Sequence, residues 1–165
     1  MKYRAIDIAS FFIKKGVTPL KLQKLLYYSQ VWYFVKYRNP LFGDDLQAWI
    51  YGPVVYDVWN NLRFIKRSAI IPNNKAVDVD FTKDVCTHLN DVWDSYGSLS
   101  GSQLVDLTHN ELPWKQSRYG ALDNQPSTNP IYINCFTTKD FKLTSQQRIP
   151  RINKDGNALG NFSNV

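Results

Sequence analysis

One stretch constrains this chain more than any other: from roughly Pro19 to Tyr37 it carries a helical pattern bracketed by its own start and stop signals. Leu22, Leu25, Leu26, Ser29, Trp32 and Tyr33 recur in steps of three and four, which sets them on one face of a helix. Thr18 supplies a capping hydroxyl, and Pro19 suits the first turn, where its missing N–H costs nothing. Asn39-Pro40 closes the helix, because the residue before a proline is pushed out of the helical region. Lys21, Lys24, Gln30 and Lys36 lie largely off the stripe, which predicts a helix with one face in a core. A stripe of this width reads as core contact, not as a cofactor box.

The rest of the sequence supplies partners for that helix. Ala5, Ile8, Ala9, Phe12 and Ile13 predict a first helix from about Tyr3 to Lys15, ended by Gly16. After a turn around Gly43-Asp44-Asp45, Leu46, Ala48 and Ile50 alternate with Gln47, Trp49 and Tyr51, the period of a strand, so residues 41–52 predict a short two-stranded element. Gly52-Pro53 is read as opening a third helix over about 54–66, on Val55, Val58, Leu62 and Ile65, with Tyr56 and Trp59 beside them. Asp80 is expected to cap a fourth over about 81–96. Ser100 and Gln103 form a capping box ahead of a fifth over about 101–109, and Pro113 starts a short sixth through Ser117. Ile131 to Ile133 reads as extended, and 137–142 as one helical turn. The expected architecture is mainly α: a compact bundle of roughly five to six helices with a small β element, occupying residues 1–142. Beyond Leu143 the chain lacks apolar residues to pack, so 143–165 is expected to be a polar, flexible tail.

Composition narrows the function classes. Aromatic residues reach 15% of 165, with 10 Tyr, 9 Phe and 5 Trp, enough to fill spaces between helices and to furnish a binding surface. The two cysteines, Cys86 and Cys135, make no disulfide framework, and no signal-peptide or membrane-spanning run occurs, so a cytoplasmic protein without membrane contact is expected. The net charge of +6 is uneven: residues 1–38 hold eight Lys/Arg against Asp7 alone, and residues 39–135 hold seven against eleven acids. A basic first third suits an acidic protein or nucleic acid, but also a merely solvated face. A helix-turn-helix reading of the first two helices makes a poor DNA reader, since the second is too apolar for a groove.

No catalytic constellation emerges. The histidines are His88 and His109; Cys86 and His88 lie two apart and so do not face each other on a helix. The spacing of Cys86, His88, His109 and Cys135 matches no metal pattern, and no glycine-rich phosphate loop follows a strand. Asp44-Asp45 suits a turn, and Asp91 with Asp94 suits a solvated helix face. No cofactor is expected. The string from His109 to Trp114 reads first as a lock at a helix junction, its indole N–H satisfied by a neighbour.

Three strings in series then carry a resemblance: Leu22-Gln23-Lys24-Leu25-Leu26-Tyr27-Tyr28-Ser29-Gln30, Ala48-Trp49-Ile50-Tyr51-Gly52-Pro53-Val54-Val55, and Leu107-Thr108-His109-Asn110-Glu111-Leu112-Pro113-Trp114. In this order and with these gaps, the chain resembles the Panacea domain of SocA-like antitoxins and phage-associated GepA-type proteins, over about residues 3–142. The resemblance implies a mainly helical antitoxin that pairs with a cognate toxin protein by direct contact, with no substrate and no cofactor. It implies further that Gly52, Pro53, His109, Glu111, Pro113 and Trp114 serve the fold first.

Within that frame, aromatic anchors for a partner are expected at Tyr28, Trp32, Tyr33, Tyr37, Trp49 and Tyr51, each weighed against core packing. Lys21, Lys24, Lys36 and Arg38 are expected to steer an acidic partner surface. The rival readings are a phage or prophage accessory protein that binds a host protein, a small enzyme with an unrecognised site, and a DNA-binding regulator.

Overall fold

A computed structural model describes residues 3–135, 151–152 and 158–159. Among the described residues the protein is mainly α: α1 (Ala5–Ile13), α2 (Pro19–Tyr37), α3 (Tyr56–Leu62), α4 (Lys83–Tyr96), α5 (Gly101–His109) and α6 (Leu112–Ser117). A single antiparallel hairpin, β1 (Leu46–Trp49) and β2 (Gly52–Val55), stands between α2 and α3. A second pairing, β3 (Arg151–Ile152) with β4 (Ala158–Leu159), is the one part described of the expected tail. The expected helical turn at 137–142 lies outside the described residues.

Helix α2 begins and ends where its signals put it. The Thr18 hydroxyl accepts from the Lys21 N–H at 3.3 Å, and Arg38 adopts a left-handed backbone at its end. Its environment differs from the expectation of one inward stripe. Every residue from Leu22 to Trp32 is buried, because α1, α3, α4, α5 and β2 all pack against it. A helix surrounded in this way is the axis of the fold, and its polar side chains have to find partners inside.

They find the backbone of residues 41–55. The Gln23 side-chain amide exchanges two hydrogen bonds with Val55, accepting from its N–H at 2.8 Å and donating to its carbonyl at 3.4 Å. Gln30 does the same for the chain entering the hairpin: its oxygen accepts from Leu41 N–H at 2.8 Å and Phe42 N–H at 3.2 Å, and its nitrogen donates to Phe42 O at 2.8 Å. The buried amides thus act as pegs that satisfy an edge of irregular backbone and fix the hairpin to the helix.

The hairpin is the expected two-stranded element, but its second strand corrects the sequence reading. Gly52-Pro53 does not open a helix; it begins β2, which pairs Leu46 with Val55 and Trp49 with Gly52. The third helix therefore starts at Tyr56 and is shorter than the predicted 54–66. The extended segment near Ile131 also joins the hairpin, through Ala48 N–H to Asn129 O and Ile131 N–H to Leu46 O, both 2.8 Å. Helix α4 starts at Lys83, later than expected, with Thr82 as its cap position in place of Asp80. Helix α5 carries the expected box, Ser100 Oγ accepting from Gln103 N–H and Gln103 Oε1 from Ser100 N–H.

Candidate functional site

The three strings singled out in the sequence meet at one buried junction. Glu111, fully buried, accepts from the Tyr27 hydroxyl at 3.0 Å and the Tyr28 hydroxyl at 2.9 Å. Tyr28 stacks on Tyr96 at 3.9 Å with rings 8° apart, and Tyr96 accepts from the Trp32 indole at 2.8 Å. Burial, and then the Glu111 charge, push the Tyr28 phenol well above its ordinary pKa. Trp114 donates its indole N–H to Trp49 O at 2.8 Å and lies flat against His109, 3.9 Å between ring centres. The Arg118 guanidinium sits 5.0 Å over the Trp114 ring and donates to the carbonyls of Ala48, Leu122 and Gln125. So α2, the hairpin turn and the α5–α6 junction are tied together, by side chains of the two helical strings and backbone carbonyls of the hairpin.

Lys24 sits at the centre of this junction. It is fully buried, and its ammonium donates to Pro53 O at 2.8 Å. Burial pulls its pKa down to about 7. Burial also lowers His88, whose Nε2 lies 2.8 Å from Ser29 O, to about 4. His109 is lowered as well, by burial and by the Lys24 charge, and its Nε2 has no hydrogen-bond partner among the described residues.

These shifts fix a pH dependence of stability. A base whose folded pKa lies below its unfolded one is bound by the proton more readily in the unfolded chain, so stability rises with pH between the two values. That window runs from about 4 to the ordinary 6.5 for His88, and from about 7 to the ordinary 10.5 for Lys24. Above pH 10 the raised phenols of Tyr28 and Tyr96 reverse the sign. The unfolding midpoint in denaturant is therefore expected to climb from pH 7 to pH 9, by up to about 3 kcal/mol of stability. Lys24→Met is expected to flatten that climb; a wild-type midpoint that falls from pH 7 to pH 9 contradicts the assignment.

The placement of the expected partner residues is mixed. Tyr28, Trp32 and Lys24 are buried, so they are not surface anchors or steering charges: their side chains complete the core around α2. Lys21 is half-buried and occupied, donating to Gly97 O at 2.6 Å and lying 5.2 Å over the Trp93 ring. Tyr33 and Tyr37 pack on each other at 4.5 Å near the C-terminal end of α2, where Lys36 and the exposed Arg38 also lie. Trp49 and Tyr51 belong to the hairpin, beside the other end of α2. At about 1.5 Å per helical residue, the two groups stand roughly 20 Å apart and form separate surfaces.

At the hairpin end the structure adds residues that sequence reasoning did not single out. A pocket of about 370 Å³ opens between the first turns of α2, the hairpin and α3. Leu20, Trp49, Tyr51, Trp59, Leu62 and Ile65 form its walls, with Trp49 and Trp59 in edge contact at 4.9 Å. Arg63, Lys66 and Arg67 rim it, Lys24 lines it, and no acidic side chain does. The Arg67 guanidinium lies 4.5 Å over the Tyr51 ring. The exposed Tyr56 packs beside Trp49 and Trp59, and Phe64 and Ile70 in the segment after α3 are exposed as well. The sequence signal was present, since residues 58–77 hold Arg63, Lys66, Arg67 and Lys75 and no acid, but the net negative charge of 39–135 averages it away.

Among the described residues, no group of three or more His, Cys, Asp or Glu is placed to hold a metal, and no helix is long and apolar enough to cross a membrane. Residues 22–115 match a family described as antitoxin SocA-like, Panacea domain. No curated protein and no solved structure matches the chain.

Proposed function

The chain belongs to the SocA-like antitoxin family through its Panacea domain, and from that premise we propose that it neutralises a cognate protein toxin by direct binding, without catalysis. The family match over residues 22–115 carries this reading. It is supported by where the matched strings go. Lys24 with Pro53, Gly52 against Lys24, Glu111 with Tyr27 and Tyr28, and Trp114 with Trp49 are engaged inside the junction, which leaves neutralisation to the outer surface. The contact surface is then aromatic and cationic, a combination that favours an acidic protein partner.

Co-expression tests the proposal. Each reading frame beside this gene is induced alone and together with it, and growth is followed. One neighbour is expected to arrest growth alone and to become harmless in the presence of this chain. Absence of any such neighbour, or rescue that persists when this chain carries an early stop codon, overturns the reading.

A further inference from the structure

The pocket between α2, the hairpin and α3 has more to say than that a partner binds somewhere. Its volume of about 370 Å³ falls inside the roughly 300–1,000 Å³ typical of ligand-binding clefts. Its walls are aromatic and aliphatic, and Trp and Tyr are the residue types that dominate binding energy at protein contacts. Its shape is set in advance: Gln23 and Lys24 fix the Pro53–Val55 backbone to α2, so little ordering remains to be done on binding.

Charge selects the occupant. Arg63, Lys66 and Arg67 have exposed side chains and no carboxylate partner among the described residues, and no Asp or Glu lines the pocket. The chain's own residues 136–165 carry five basic and two acidic residues, and a second copy brings a net +6; both are repelled from a cationic rim. Nucleic acid suits the charge but not the shape, because a polynucleotide needs cations strung along an open track and these ring a single apolar recess. We propose that this pocket grips the protein partner by taking one aromatic or aliphatic side chain flanked by Asp or Glu. This deepens the antitoxin reading and rests on it only for the identity of the partner.

The test selects binders from a random peptide library displayed on phage against the full-length wild-type chain, and then against Arg63→Glu/Arg67→Glu and Trp59→Ala. Thermal melts confirm that each variant folds. The wild type is expected to enrich peptides in which Trp, Phe or Leu is flanked by Asp or Glu. A peptide so selected, synthesised and titrated, should bind the charge-reversed variant roughly tenfold or more weakly. Lys36→Glu/Arg38→Glu, at the far end of α2, should leave it unchanged. No enrichment, enrichment indifferent to the reversal, or tighter binding of a thymidine oligonucleotide than of any selected peptide overturns the proposal. A charge-reversed variant that still neutralises a toxin as well as the wild type removes the pocket assignment and leaves the antitoxin reading standing. The expected peptide selection in a chain that neutralises no neighbour does the reverse.

Discussion

Glu111→Ala is expected to be among the most damaging single substitutions in this chain. The side chain is fully buried and accepts from two tyrosine hydroxyls, Tyr27 and Tyr28, that have left water to reach it. Truncation removes the acceptor from both and leaves a void beside the Tyr28–Tyr96 stack. Each buried donor left unsatisfied costs about 1–3 kcal/mol, and the void adds to that, for a total of roughly 3–5 kcal/mol. A domain of this kind has only about 5–15 kcal/mol in hand, so the variant should lose a large share of its stability. Glu111→Gln keeps one acceptor oxygen and the volume, and a tyrosine hydroxyl can rotate to accept from its amide; a loss of about 1–2 kcal/mol is expected. Urea unfolding of the three proteins measures the differences. An alanine variant with the wild-type midpoint would show that the junction does not depend on this carboxyl.

Gly52→Ala is the second large effect, and a control within the same chain separates its two causes. Gly52 has φ +88°, a left-handed backbone that costs an alanine about 1–2 kcal/mol. Its added Cβ would also lie 2.6 Å from Thr108 Oγ1 and 2.7 Å from Lys24 Cε. The Thr108 hydroxyl is held by Val105 O at 2.9 Å, and Lys24 by Pro53 O, so neither yields without losing a buried hydrogen bond. A total of about 3 kcal/mol or more is expected. Gly16 has a similar φ of +77° but nothing within 4 Å of its added Cβ, so Gly16→Ala should show the backbone cost alone. Equal losses from the two substitutions would mean that the close approach of α2, the hairpin turn and α5 is not tight.

Much of the bundle was legible because helix signals are local. Thr18-Pro19 and Asn39-Pro40 bracket α2, and the Ser100–Gln103 box opens α5, all within a few residues of the elements they define. The hairpin was half legible. The alternation of Leu46 to Tyr51 marked β1, but Gly52-Pro53 reads equally well as a helix start, and only the pairing of Val54 and Val55 with β1 decides it. What periodicity could not reveal is that α2 is enclosed on every side. Gln23, Lys24 and Gln30 are polar and fall off the apolar stripe, yet they point inward because their partners are backbone groups 11 to 32 residues away. The same enclosure took Tyr28 and Trp32 out of the candidate surface.

The pocket was missed for a different reason. Its rim cations lie just after α3, where a local run without acids is hidden by the acidic residues on either side of it in the wider segment. Periodicity sets Trp59 beside the apolar positions Val58 and Leu62 without assigning it a role; it is half-buried and lines the recess.

The account turns on neutralisation by occupancy, not by turnover, and a stoichiometric titration tests that most directly. Purified toxin, identified by co-expression, is held at a fixed concentration well above the dissociation constant, and its activity is read as this chain is added. Residual activity should fall linearly to an end point at a fixed small ratio of chain to toxin, with the two proteins eluting together in size-exclusion chromatography. Silencing of many toxin molecules by each chain, progressing with time and leaving no complex, would contradict it.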